Sequence, residues 1–209
     1  MGRVAGTLLL LALLSFALPI AARADAIDIT NQFGSVTITD AGISSFGSQL
    51  KSFNGIQAGA GHALGSVSFW TGAFIQSTGS IWNGGQFSSV GSGFVVTGVY
   101  GTKKGQKGTI FSGAFDGNID WNLIVSNKFF HAYTLTGTVV GQLWNGHEAK
   151  GTVSETIYTY WNQEKIDHKG SIHLGTSTLN TTPEPGTLGL LGTGLLAMAG
   201  AIRRKIGKS

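Results

Sequence analysis

The chain has 209 residues, a formal net charge of +4 and no cysteine, which excludes disulfide cross-links and thiolate metal sites. The basic excess belongs to the two ends: residues 25–182 carry eight lysines and no arginine against six aspartates and three glutamates, a net charge of −1. That balance excludes the basic footprint of a nucleic-acid-binding domain, and the segment is long enough to bury roughly 70% of its unfolded surface in a core of its own.

At the N-terminus, Arg3 precedes an apolar run over residues 7–14, and Ala22-Arg23-Ala24 supplies a small-x-small cleavage pattern. Residues 1–24 therefore read as a secretory signal peptide, with Asp25 as the first mature residue. From there to residue 182 the chain has no proline, and Gly, Ser, Thr, Val, Ile and Phe dominate in short runs. Residues 35–39 (SVTIT), 66–69 (SVSF), 94–100 (FVVTGVY) and 109–115 (TIFSGAF) read as strands separated by glycine-rich turns, with 55–65 as a loop. Their close spacing predicts one all-β domain over 25–182, a sandwich or a barrel, and a jelly-roll-like antiparallel β-sandwich of about ten short strands is the form expected.

The clearest strand covers residues 118–125, where Ile119, Trp121, Leu123 and Val125 alternate with Asn118, Asp120 and Asn122, which turns Trp121 toward the core. Just before it, Asp116-Gly117 has the composition of a tight hairpin turn. Tyr133, Leu135, Gly137, Val139, Gly141 and Leu143 share one face of the next strand, Asn145-Gly146 forms a turn, and 147–161 returns. A two-residue turn sets Tyr133 opposite Tyr158, whereas one bulge brings Val153 and Ile157 to the Leu135 face instead. A third hairpin is expected around Ile81-Trp82-Asn83-Gly84.

The motifs of nucleophilic hydrolases, zinc proteases and dinucleotide-binding proteins are missing from the sequence. Asp116, Asn118 and Asp120 imitate the start of a calcium loop, but Trp121 stands where that loop needs glycine and Asn127 where it needs glutamate. His62, His131, His147, His168 and His173 could bind a metal only if the fold gathered three of them. Glycosidase carboxylates need a fixed separation, and the nine acids of residues 25–182, several of them at turns, single out no pair. No catalytic, metal or cofactor residue is nominated, and a non-enzymatic protein is expected.

One pattern points to a ligand. Tryptophan is followed by asparagine at Trp82-Asn83, Trp121-Asn122, Trp144-Asn145 and Trp161-Asn162, and two of these pairs continue into glycine. An indole beside an amide offers a surface for stacking and hydrogen-bonding a sugar. Trp82, Asn83, Trp144, Asn145 and Trp161 are thus candidates for carbohydrate binding, with exopolysaccharide as partner. The plainer reading has these indoles cover open edges of the sandwich while Asn-Gly makes the turns.

The C-terminus is the most specific stretch. Pro183-Glu184-Pro185 is followed by an uncharged segment over 187–202, then Arg203-Arg204-Lys205. The segment spans roughly 24 Å as a helix, short for a membrane of ~30 Å, and the basic cluster favours the cytoplasmic side. Gly189, Thr193, Ala197 and Ala201 place small side chains on one face. Tripeptide, apolar helix and basic end together resemble the PEP-CTERM sorting signal, here residues 183–209 with a transmembrane helix over 187–202. The resemblance implies passage through the secretion machinery, an inner-membrane anchor in transit, and processing near the tripeptide by an exosortase. It further implies residence at the cell surface or in an extracellular, exopolysaccharide-rich biofilm matrix.

Overall fold

The computed structural model describes residues 26–99, 106–160 and 168–181, and these belong to one compact unit, Ala26–Thr181. Period-two alternation of apolar with small polar residues lays down β1 (Ala26–Gln32), β2 (Ser35–Thr39), β3 (Gly42–Phe53), β4 (Ile56–Gln57), β5 (Gly65–Trp70) and β6 (Gly85–Phe87). It continues through β7 (Gly93–Val99), β8 (Lys107–Ser126), β9 (Phe130–Leu143), β10 (Glu148–Tyr160) and β11 (Lys169–Thr181). The one described helical element is a short 3-10 turn, Gln76–Thr78.

The strands close into an eight-stranded barrel rather than the expected sandwich. β1 and β2 act as one stave: both pair with β3 on one side and with β11 on the other, from Ala26↔Asn180 through Thr37↔Lys169. β6 and β7 likewise share the edge of β8, β6 at its Ile119–Trp121 stretch and β7 nearer its start. Counted this way the eight staves follow chain order, each antiparallel to the next, and β11 returns to β1. Closure leaves no unpaired main edge.

The departure from a sandwich has a local cause. Asp116-Gly117 is not a turn. Gly117 adopts φ 84° within a bulge, and β8 runs on through it for 20 residues while β9 stays paired on both sides of the irregularity. The same Asp-Gly chemistry that closes a two-residue hairpin serves a bulge equally well, because both need positive φ. Taking it as a turn splits one long strand into two short ones and reverses the chain direction after it.

Other local expectations hold. Asn145-Gly146 lies at the tip between β9 and β10, and the register is the bulged one, with Tyr133 opposite Ile157 and Gly137 opposite Val153. Ile81-Trp82-Asn83-Gly84 forms a turn closed by the Ser80 carbonyl, which accepts from Asn83 and Gly84 at 3.1 and 2.9 Å. Trp121 is fully buried. Its indole stacks on Tyr133 at 4.4 Å and 8°, and its Nε1–H donates to the Ile81 carbonyl at 2.7 Å. Tyr133 donates its hydroxyl proton to the Trp82 carbonyl at 3.1 Å. Phe69, Phe87, Phe94 and Phe111 share the remaining interior with aliphatic side chains such as Ile29, Ile38, Leu50 and Ile119, as suits a barrel of this size, whose bore is about as wide as the side chains that point into it.

The two rims differ. One carries the ends of the described chain, Ala26 and Asn180 being paired neighbours, together with the β9–β10 tip. The other carries the β2–β3 turn and the segment from β5 to β6, which folds inward with Ile81 buried. The expected signal peptide, residues 1–24, and transmembrane helix, 187–202, lie outside the described residues; among the described ones no helix is long and apolar enough to cross a membrane.

Replacing Trp121 by alanine removes both the stack and the tie to the rim segment. The expected cost is about 3–5 kcal/mol, read as a lower urea midpoint with an unchanged slope.

Candidate functional site

Three neighbouring staves carry an irregularity at the same level of the barrel. In β3 the register against β5 shifts between Ser45 and Ser48, leaving Phe46-Gly47 as extra residues, with Gly47 at φ 74°. Between β1 and β2, Phe33 and Gly34 take φ 62° and 100°. In β11 the register against β10 shifts so that Thr156 faces Leu174 while Ile157 faces Ile172. Each irregularity breaks the alternation of sides, sending a large apolar residue outward: Phe46, Phe33 and Leu174 are 65%, 55% and 40% exposed.

Inside the belt lies a polar group. Asn31, Gly175 and Glu155 stand in one row across β1, β11 and β10. Gly175 has no side chain, and a Cβ there would collide with both Asn31 Oδ1 and Glu155 Oε2. Across this gap Asn31 Nδ2 donates to Glu155 Oε2 at 3.1 Å and to Ser48 Oγ at 2.9 Å, and Ser48 donates onward to the Gln32 carbonyl. Asn31 Oδ1 and Glu155 Oε1 have no hydrogen-bond partner. Burial pushes the Glu155 carboxyl up from near 4.5 to about 8, against a smaller lowering by the Asn31 hydrogen bond, so it keeps its proton at neutral pH. A perturbed acid of this kind is a functional-site signal when it lines a cleft, but Glu155 is sealed from solvent. Its place between Val153 and Ile157 on one inward face follows from the bulged register, which the sequence left open.

Outside the belt lies an aromatic wall. Trp70 Nε1–H donates to the Gly91 carbonyl at 2.9 Å, and the indole lies flat over Gly93, where any Cβ would overlap it. Phe46 stacks beside it, ring centroids 6.2 Å apart and planes 21° from parallel. Gly47 N–H donates to Ser68 Oγ at 3.1 Å, which pins the bulge that presents Phe46. Lys51 sits over the Phe33 ring at 5.2 Å, while its ammonium donates to Gln49 Oε1 and the His62 carbonyl. Trp70 is the tryptophan with no asparagine after it. The signal that finds it is alternation in β5, where Val67 and Phe69 point inward and Ser66, Ser68 and Trp70 outward.

The residues nominated from sequence are not brought together. Trp82 is half-buried, packs against the core and stacks on His168 at 5.8 Å and 15°. Trp144, 38% exposed, meets Phe53 edge-on at 5.8 Å on the opposite rim. Asn83 and Asn145 are exposed, and each serves its turn, the latter accepting from His147 N–H at 3.1 Å. Trp161, the cleavage residues Ala22, Ala24 and Asp25, the motif Pro183, Glu184 and Pro185, and the basic cluster Arg203, Arg204 and Lys205 lie outside the described residues. The residues that imitate a calcium loop are otherwise engaged: Asp116 pairs with Lys150 at 2.8 Å, and Asn118 and Asp120 both hold Gln86. Among the described residues no three His, Cys, Asp or Glu side chains converge.

A family model described as the PEP-CTERM protein-sorting motif matches residues 181–205. Neither the curated proteins nor the solved structures yielded a match.

The buried acid sets a pH dependence. Between pH 4.5 and about 8 the folded chain holds a proton on Glu155 that the unfolded chain has lost. The stability this group contributes is therefore full below pH 4.5, falls by up to about 1.4 kcal/mol per pH unit as pH rises, and levels off above about 8. Thermal unfolding followed from pH 5 to pH 9 should show this decline, and Glu155→Gln, which stays neutral, should remove that component of the slope.

Proposed function

We propose, for a chain that carries a PEP-CTERM sorting motif and is thereby exported and handled by exosortase-type machinery, a non-enzymatic role as a surface module of the cell envelope or biofilm matrix, in contact with exopolysaccharide. The observation that carries this reading is the filled barrel. Trp121, Tyr133 and the fully buried Phe69, Phe87, Phe94 and Phe111 occupy the space where a ligand-binding barrel keeps its cavity. The working surfaces are then the walls and rims.

Export suits this architecture. With no cysteine, the domain depends on no oxidising step, and its stability comes from a continuous hydrogen-bonded ring around an apolar core. In transit the sorting signal anchors the chain in the membrane. The reading places the mature form at the cell surface or in the matrix, cut near Pro183-Glu184-Pro185.

Carbohydrate binding by Trp82, Trp144 and Trp161 acting together finds less support. The two described indoles sit on opposite rims, where each packs against barrel residues.

Processing is the direct test. Intact-mass measurement of the surface-exposed protein should show the loss of residues beyond about 185, and Pro183→Ala with Pro185→Ala should retain the full-length form. A full-length C-terminus on surface-exposed wild-type protein would sink the proposal.

A further inference from the structure

We infer that the outer wall formed by β2, β3, β5 and β7 binds an uncharged, extended polysaccharide, with Trp70 and Phe46 as the stacking platform. The inference deepens the exopolysaccharide contact proposed above, and names a site that the tryptophan–asparagine pattern does not contain.

Three observations carry it. The first is rigidity. The Trp70 indole is fixed at its nitrogen by Gly91 and beneath its face by Gly93, and Phe46 is fixed by a bulge whose Gly47 N–H is held by Ser68. The indole thus loses little freedom when a ligand lands on it, which lowers the cost of binding, and the pinned bulge fixes the backbone from which Phe46 projects. The second is shape. Two rings 21° from parallel, with centroids 6.2 Å apart, Phe46 largely exposed and Trp70 partly so, give the wall two neighbouring aromatic surfaces of similar tilt. The electron-rich aromatic face attracts the weakly positive C–H groups on the flat side of a pyranose, and adjacent rings let successive sugar units of one chain each find a partner.

The third is charge. Lys51 is the one charged residue in β2, β3, β5 and β7, and its ammonium is already engaged by Gln49, the His62 carbonyl and the Phe33 ring. β8 and β10, by contrast, carry Lys107, Asp116, Asp120, Glu148 and Lys150. Around the platform several side chains are hydroxyls, among them Ser35, Ser44 and Ser68, beside uncharged neighbours such as Gln49 and Val95. Such groups donate and accept in turn, as sugar hydroxyls do, without fixing the sign of a partner's charge. A protein partner large enough for a stable complex buries about 1,200–2,000 Å² and gains from charged rim pairs, which this wall lacks. A nucleic acid needs phosphate-neutralising lysines and arginines.

The test uses the full chain in detergent micelles, sedimented with insoluble cellulose, with an insoluble β-1,3-glucan, and with alginate coupled to beads as the anionic polymer. Wild type, Trp70→Ala, Phe46→Ala and Trp144→Ala are compared, and thermal unfolding confirms that each variant is folded. Phe46 is largely exposed, so its truncation leaves the barrel intact even if loss of Trp70 does not. Expected are retention on at least one neutral glucan, a drop of about tenfold in affinity for Trp70→Ala and Phe46→Ala, and no change for Trp144→Ala. No retention of wild type on either glucan, equal retention of all four proteins, or retention on alginate alone would each overturn the inference. None of these results bears on C-terminal processing, which is read by mass, so the two readings fail independently.

Discussion

Closure of β11 onto β1 is the constraint from which the other features follow. An open antiparallel sheet of this length exposes two edges, and closing it removes both only if the staves bend enough to meet. At the seam the chain bends by irregularity: β1–β2, β3 and β11 all break alternation at one level, at Phe33-Gly34, Phe46-Gly47 and His173-Leu174. An extra residue in one strand increases local twist and coiling, and three in adjacent strands turn a corner. The sequence provides for this with glycine where φ must be positive, at Gly34 and Gly47, and with no proline anywhere in the described strands to interrupt the ladder.

The corner has two sides. Outward it sets the exposed apolar ridge of Phe33, Phe46 and Leu174; inward it sets small or polar residues, Ser45, Ser48, Asn31 and Gly175, where the rest of the barrel interior is mostly aliphatic and aromatic. Glu155 occupies the room over Gly175. A carboxyl there is tolerated because it keeps its proton and accepts from Asn31, which avoids burying a charge. An apolar residue in its place would gain on transfer yet leave the Asn31 amide short of an acceptor, an exchange whose cost falls on the buried amide. The interior acid and the exterior ridge are thus two consequences of one bend.

What the sequence made legible follows from the range of each signal. Alternation acts over two residues and needs no knowledge of the fold, so the burial of Trp121 and the common face of Tyr133, Leu135 and Val139 were readable, as were the turns at Asn145-Gly146 and Ile81–Gly84. Sheet closure acts over the whole chain and leaves no local mark. Asp116-Gly117 shows the difficulty, since positive φ at a glycine is shared by hairpins and bulges, and only the partner strand decides between them. Glu155 was hidden for a related reason: its side depends on the β9–β10 register, which a single residue inverts. Trp70 was within reach, because its neighbours alternate plainly, although it lacks the asparagine that follows every other tryptophan.

Where those pairs ended up bears on function. Trp82 and Trp144 pack at opposite rims, each against barrel residues, and Trp121 lies inside. An eight-stranded barrel has an interior, two rims and a wall. Here the interior is full of side chains, and each rim carries an indole turned against its own core. The described wall has two halves that differ in kind: charged along β8 and β10, and, along β2, β3, β5 and β7, carrying serine and threonine hydroxyls beside Phe46 and Trp70. A partner sorted by charge would meet the first half, and a partner sorted by shape and hydroxyls the second. For a protein exported through the membrane, with a domain charge close to neutral, recognition by shape is the mode that ionic strength outside the cell disturbs least.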